Sequence, residues 1–274
     1  MADNGKSRAG RNLPAATAVG LGLAALVLAT LLLKPWTFVV LAAAAILLGV
    51  FEVHRALTAR PPRWVDFPLF VGTVAIIVAA YADGFRGLVI ALTVTVWAVL
   101  AVRLLPGPTA FDREAGGALF ALVYLPLMAG IVMLMLAAPL GPHRVLVFVI
   151  FTVGNDVGGY AFGSWLGKHR IAPTISPKKS WEGLAGSAAT NIALGAIIFP
   201  WLLALPAWQG IVTGLVLVVS GTTGDLVASA VKRDLGIKDF GHLLPGHGGL
   251  TDRLDGLVFN AVPLWLLLNA FLGT

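Results

Sequence analysis

Cysteine is absent from all 274 residues, which excludes disulfides and cysteine-ligated metals and leaves no redox clue to the compartment. Charge is scarce as well: 12% of the chain is Asp, Glu, Lys or Arg, against 58% hydrophobic residues and a mean hydropathy of +0.90. That balance excludes a single soluble domain. Also missing is the period-two alternation in segments of ~10 residues that a membrane β-barrel needs. The apolar runs are instead continuous and rich in Ala, Leu, Val and Gly, so the expected fold class is all-α, a polytopic integral membrane protein. No block of polar residues occurs twice, which weakens a transporter built from inverted repeats. The pI near 10.0 fits positive-inside topology and contact with anionic lipid, and no nucleic-acid partner is expected.

Nine apolar runs are predicted to span, at about 15–33, 36–53, 67–82, 87–105, 117–138, 145–166, 183–204, 210–231 and 253–272. The first has no clear small-residue cleavage site and is followed at once by a second run, so it reads as retained rather than as a signal peptide. Before it, residues 1–14 are polar and read as a disordered cytoplasmic tail. The chain divides into that tail, amino-terminal membrane helices over 15–138 and a carboxyl-terminal catalytic membrane region over 139–274. With the amino terminus inside, alternate connections collect sixteen Lys and Arg on one side and only Lys34, Arg86 and Arg144 on the other. This asymmetry predicts a cytoplasmic amino terminus and cytoplasmic polar loops at 167–182 and 229–255. The expected location is the cell's inner (plasma) membrane, multi-pass, with the site facing the cytoplasm.

The amino-terminal half offers little chemistry. Glu52 and His54 read as interfacial groups reaching for water at the end of the second span, and Asp112, Arg113 and Glu114 as a solvated loop. The carboxyl-terminal half differs. Asn155 and Asp156 interrupt the sixth span, with Gly159, Gly163 and Gly167 on one face for close packing and Tyr160 one turn beyond the acid. In the following loop, Ser176-Pro177-Lys178-Lys179-Ser180 sets paired cations among hydroxyls, which suits phosphate; the same lysines also fit plain topology markers. Asp225, Ser229 and Lys232 lie at i, i+4 and i+7, a stripe placing the buried acid ~10 Å below the lysine.

Lys232 and Arg233 also suit a helix carboxyl end. The glycine-rich turn 245–249, containing His247, Gly248 and Gly249, can present bare amides to phosphate oxygens. Directly after it, Asp252 and Asp255 share a face at i and i+3 and offer hard oxygen ligands for Mg²⁺, although Asp252 also reads as a helix cap.

Residues 229–255, with S-x-V-K-R, K-D-F-G and L-P-G-H-G-G-L-x-D-R-L-D, resemble the signature of the phosphatidate cytidylyltransferase (CDP-diacylglycerol synthase) family. Asp156, Tyr160, Phe162, Gly163, the S-P-K-K-S-W-E-G block and Gly224-Asp225-Leu226 resemble further motifs of that family; Ser180 stands where it often has threonine. The resemblance covers roughly 155–255 and none of the amino-terminal spans. It implies a homodimeric membrane enzyme that joins CTP and phosphatidic acid into CDP-diacylglycerol and pyrophosphate, with Mg²⁺ required and a second, monovalent cation left open.

On this reading Asp225 and Asp252 are the metal ligands, Asp156 and Asp255 support them, and Lys232 and Arg233 act in catalysis. Ser176, Lys178, Lys179, Ser180, Ser229, Lys238, His247, Gly248, Gly249 and Arg253 contact phosphate or nucleotide. Two other classes stay open: a cation-coupled membrane transporter and another Mg²⁺-dependent lipid-phosphate transferase.

Overall fold

The computed structural model describes residues 13–241 and 249–273, so residues 1–12 of the expected disordered tail, His247 and Gly248 lie outside the described residues, while Leu13 and Pro14, expected in the tail, begin the first helix. The chain is helical almost throughout. Helices α1 (Leu13–Leu33) and α2 (Pro35–Thr58) are followed by α3 (Phe67–Leu104), α4 (Phe111–Leu122) and α5 (Met128–Ala137). Then come α6 (Gly141–Leu166), α7 (Trp181–Ile198), α8 (Ala207–Asp234) and α9 (Thr251–Leu272). Among the described residues, seven helical segments are long and apolar enough to cross a membrane.

The longest of these, Trp64–Leu104, is not one rod. Gly84 takes φ +60°, ψ −143°, a conformation that only glycine adopts without strain, and the chain doubles back there. Gly72 then lies against Thr95, and Gly87 against the backbone of Ala79. Residues 111–137 form a second composite rod, in which Pro126 opens a π turn at Val123–Leu127 between α4 and α5. Proline cannot donate to the helix ladder, and the widened turn absorbs the defect.

Helices α6 to α9 pack through small residues. A methyl group at Gly195 would strike the backbone of Gly210, and one at Gly210 the backbone of Gly195, so α7 and α8 cross at backbone distance. Gly158 meets Gly186 and Thr190 in the same way where α6 crosses α7, and Gly159 and Gly163, two of the three glycines on the face predicted for close packing, lie against Gly183 of α7. Side chains of α2, α3, α5, α6 and α9 supply most of the buried core, including Val50, Ile76, Met133, Met135, Phe151 and Leu264.

The polar stretch at 167–182 is more ordered than a loop. Strands β1 (Arg170–Ala172) and β2 (Ser176–Ser180) pair antiparallel, with Arg170 opposite Ser180 and Ala172 opposite Ser176. The Glu182 carboxylate ties this hairpin to α7: it accepts the Lys168 N–H at 3.1 Å and pairs with His169 Nδ1 at 2.6 Å. The hairpin therefore rests on the amino end of α7, and its lysines have a fixed platform.

Candidate active site

Where α6, α7, α8 and the β-hairpin meet, a cavity of about 220 Å³ opens, with Asp156, Tyr160, Lys178, Lys179, Thr222 and Asp225 on its wall. Lys179 reaches across from β2 to α8, its Nζ 2.7 Å from Asp225 Oδ2 and donating to the Thr222 carbonyl at 3.3 Å. Both partners keep solvent access, 23% and 32% of the side chain. Asp156 is exposed to the same space, one helix away. Beside it Asn155 is buried, and its Oδ1 makes no hydrogen bond among the described residues. A second buried amide, Asn260 on α9, donates to Thr152 Oγ1 at 3.1 Å, and both asparagines converge on Gly221, where any side chain would displace them.

A second cluster lies between α8 and α9. Lys232 Nζ sits 2.9 Å from Asp252 Oδ1 and 2.7 Å from Asp255 Oδ2, and 5.3 Å from the centre of the Phe240 ring. Asp255 also accepts the Tyr124 hydroxyl at 2.8 Å. Asp252 accepts the backbone N–H of Gly249 at 2.9 Å and of Phe240 at 3.1 Å. The two clusters adjoin: Asp225 Oδ1 lies 3.1 Å from where a β-carbon on Gly256 would stand, so glycine lets the acid rest against α9 beside Asp255.

This arrangement redistributes the sequence-derived roles. Asp225 and Asp252 are held by different lysines, and no group of three or more metal-ligating side chains occurs among the described residues. Asp225 shares its cavity with Asp156 instead. Asp252 is occupied by Lys232 and two loop amides, so its reading as a helix-end acceptor is partly met. Ser180 is 3% exposed and caps α7 by accepting the Gly183 N–H at 3.2 Å.

Lys178 is exposed on the cavity rim, and Arg233 donates to the Ile175 carbonyl at 3.4 Å, linking α8 to the hairpin. Ser176 and Ser229 are half-buried, Lys238 and Arg253 exposed, and Gly249 buried.

Two amino-terminal readings are corrected. α2 continues to Thr58, beyond the predicted end at 53, so Glu52 and His54 lie inside the helix and not at its edge. Glu52 is 4% exposed and takes the amides of Leu250 and Thr251 at the start of α9. His54 is fully buried, with Nε2 3.1 Å from Asp66 Oδ1. Glu114 is likewise no loop residue but lies in the first turn of α4, held by Arg60 at 2.9 Å and Arg63 at 2.6 Å.

Tyr124 was also missed. A phenol inside an apolar run, one of only three tyrosines, was the available signal for it.

Lysines facing carboxylates around a cavity at the polar end of a helical membrane bundle define a site for anionic substrates. The chain belongs to the cytidylyltransferase family, whose model matches residues 14–271, and so is a nucleotidyltransferase. The phosphatidate cytidylyltransferase of Mycobacterium leprae (strain TN) is 40% identical over 278 residues, covering 96% of this chain and 89% of its own. That of Mycobacterium bovis (strain ATCC BAA-935 / AF2122/97) is 38% identical over 279 residues, 96% of this chain and 90% of its own. That of Brucella suis biovar 1 (strain 1330) is 43% identical over a shorter stretch of 122 residues, 44% of this chain and 45% of its own.

Proposed function

We propose that the protein is a phosphatidate cytidylyltransferase, joining CTP and phosphatidic acid into CDP-diacylglycerol and pyrophosphate in phospholipid biosynthesis. The likeness to relatives of that name along 96% of the chain carries this reading. The chemistry suits the site. A lipid phosphate monoester is already an anionic nucleophile, so its oxygen attacks the α-phosphorus of CTP without a general base. The new P–O bond forms as the bond to the bridging oxygen breaks, and pyrophosphate leaves with its electron pair. The obstacle is repulsion between two phosphates, and the remedy is fixed positive charge. Lys178 and Lys179 on the cavity wall supply that charge, with Lys232, Arg233, Lys238 and Arg253 assigned as further phosphate or nucleotide contacts.

A divalent cation, taken as Mg²⁺, fits the donor set. Mg²⁺ is usually held by one or two carboxylates together with substrate phosphate oxygens, so the lack of a three-ligand protein cage among the described residues is no obstacle. Asp225 and Asp156 share the cavity wall and are assigned as its ligands, in place of the pair Asp225 and Asp252. When bound, the ion would neutralise triphosphate charge. Lys179 would then exchange its contact with Asp225 for one with phosphate. Asp252 and Asp255 hold Lys232 in place.

The topology belongs to the same reading: nine crossings, amino terminus and site cytoplasmic, in the inner membrane, as a homodimer. Purified protein given labelled CTP and phosphatidic acid should release pyrophosphate and a CDP-lipid. Failure of the wild type to form that lipid would reject the assignment. Because the chain lacks cysteine, Ser7→Cys and Thr174→Cys test its orientation cleanly. Both should resist an impermeant thiol reagent in intact cells and react in inverted vesicles.

A further inference from the structure

Glu52 is a charged residue buried against the start of α9, on a helix that carries none of the residues assigned above to catalysis or substrate contact. Its hydrogen-bond partners among the described residues all belong to one short stretch. Glu52 Oε1 accepts the Leu250 N–H at 3.1 Å, and Oε2 accepts the Thr251 N–H at 2.9 Å and the Thr251 hydroxyl at 3.0 Å. That hydroxyl also lies 3.2 Å from the Gly49 carbonyl, one turn earlier on α2. Gly241 and Gly249 both pack on the same carboxylate, so closely that a methyl group at either would collide with it.

These contacts act as a helix cap delivered from 199 residues away. The first amides of a helix have no partner within it and need an outside acceptor. Leu250, at the capping position of α9, is itself in helical conformation and offers no side-chain acceptor. Two acids serve the amides at and before this helix start. Glu52 takes those of Leu250 and Thr251, and Asp252 takes those of Gly249 and Phe240. This division leaves Asp252 Oδ1 facing Lys232 Nζ. Without Glu52, the unsatisfied amides and the positive end of α9 would compete for Asp252, the nearest acid, and draw it off the lysine.

A buried carboxylate surrounded by neutral donors is a poor device for stability alone, because loss of its hydration offsets much of what the hydrogen bonds return. Its use is geometric, in fixing where α9 begins.

We propose that Glu52 is a positioning residue for the reaction: by capping α9 from α2, it holds Asp252 and Asp255 at the spacing that grips Lys232. The inference rests on the cytidylyltransferase reading for its activity arm, but not for its structural arm.

The test uses the full-length protein in lipid nanodiscs. Glu52→Ala should lower kcat about a hundredfold, the scale on which small displacements of catalytic groups act. Glu52→Gln keeps one acceptor and should recover part of that loss. Thr251→Val removes one donor and should cost a few-fold, with little added effect in the Glu52→Gln background, because both changes break the same contact.

Hydrogen exchange supplies a readout that does not pass through turnover. Amides at 249–252 should exchange faster in Glu52→Gln, while those of 215–225 in α8 stay protected. Unchanged kcat with unchanged exchange at 249–252 would overturn the proposal. So would a loss of activity matched by loss of folded protein, with kcat per folded molecule at the wild-type level. If the wild type makes no CDP-lipid, the functional reading fails, and the exchange experiment still decides whether Glu52 holds the start of α9.

Discussion

Two polar clusters sit at the same end of the helix bundle, and they are built from different cations. The amino-terminal one uses guanidinium groups: Asp66 receives Arg103 at 2.6 Å, Arg60 at 2.8 Å and the Arg63 backbone N–H at 2.7 Å. Glu114 collects Arg60, Arg63 and Arg103. Contact with Asp66 holds the Arg60 pKa above its ordinary value, against the opposing effect of burial. The carboxyl-terminal cluster uses ammonium groups, Lys179 on Asp225 and Lys232 between Asp252 and Asp255.

Exposure separates them further. The Arg103–Asp66 pair is sealed at 1% and 0%, whereas Lys179 and Asp225 keep 23% and 32% beside a cavity. A planar guanidinium held by two carboxylates is a fixed joint, while an ammonium is a compact charge on a flexible stem. The first cluster staples α2, α3 and α4 together, and the second, on the function proposed above, releases its cation to a phosphate.

That contrast can be broken from either side. The largest effect is expected from Asp225→Asn, which keeps shape and removes charge: turnover should fall about a hundredfold or more with the melting temperature within a few degrees of the parent. Activity near the parent level across a Mg²⁺ titration would remove Asp225 from the metal site.

Arg103→Ala should do the reverse. It leaves Asp66 buried with one cation fewer, and broken buried pairs cost about 3–5 kcal/mol, so folded yield should drop while turnover per folded molecule persists. Urea or thermal unfolding beside a per-molecule rate would check this.

Lys178→Ala with Lys179→Ala should reduce turnover about tenfold or more, with stability little changed. A loss under about twofold would make the pair topology markers. The smallest effect sharpens the role of one residue: Ser180→Ala removes a helix cap and should cost about 1 kcal/mol in stability, with turnover per folded molecule changed by only a few-fold. Loss of turnover at unchanged stability would restore Ser180 as a substrate contact.

The helix runs were legible without coordinates, because they depend on composition and local spacing. The stripe of Asp225, Ser229 and Lys232 was placed correctly on α8. Its partners were not, because an acid and a lysine seven residues apart on one helix each turned to a cation or anion from elsewhere: Asp225 to β2, Lys232 to α9. The hairpin at 170–180 was hidden by its prolines and lysines, which read as loop residues.

What the sequence determined by itself is therefore the membrane class and the family, since hydropathy and a long motif are local quantities. Only the tertiary structure decided which acid meets which cation, that Tyr124 reaches Asp255 across 131 residues, and that Glu52 closes the start of α9 across 199. Those outcomes follow from which faces α2, α8, α9, the hairpin and the turn at Tyr124 present to one another. These are set by packing between distant segments and leave no mark in the spacing along the chain.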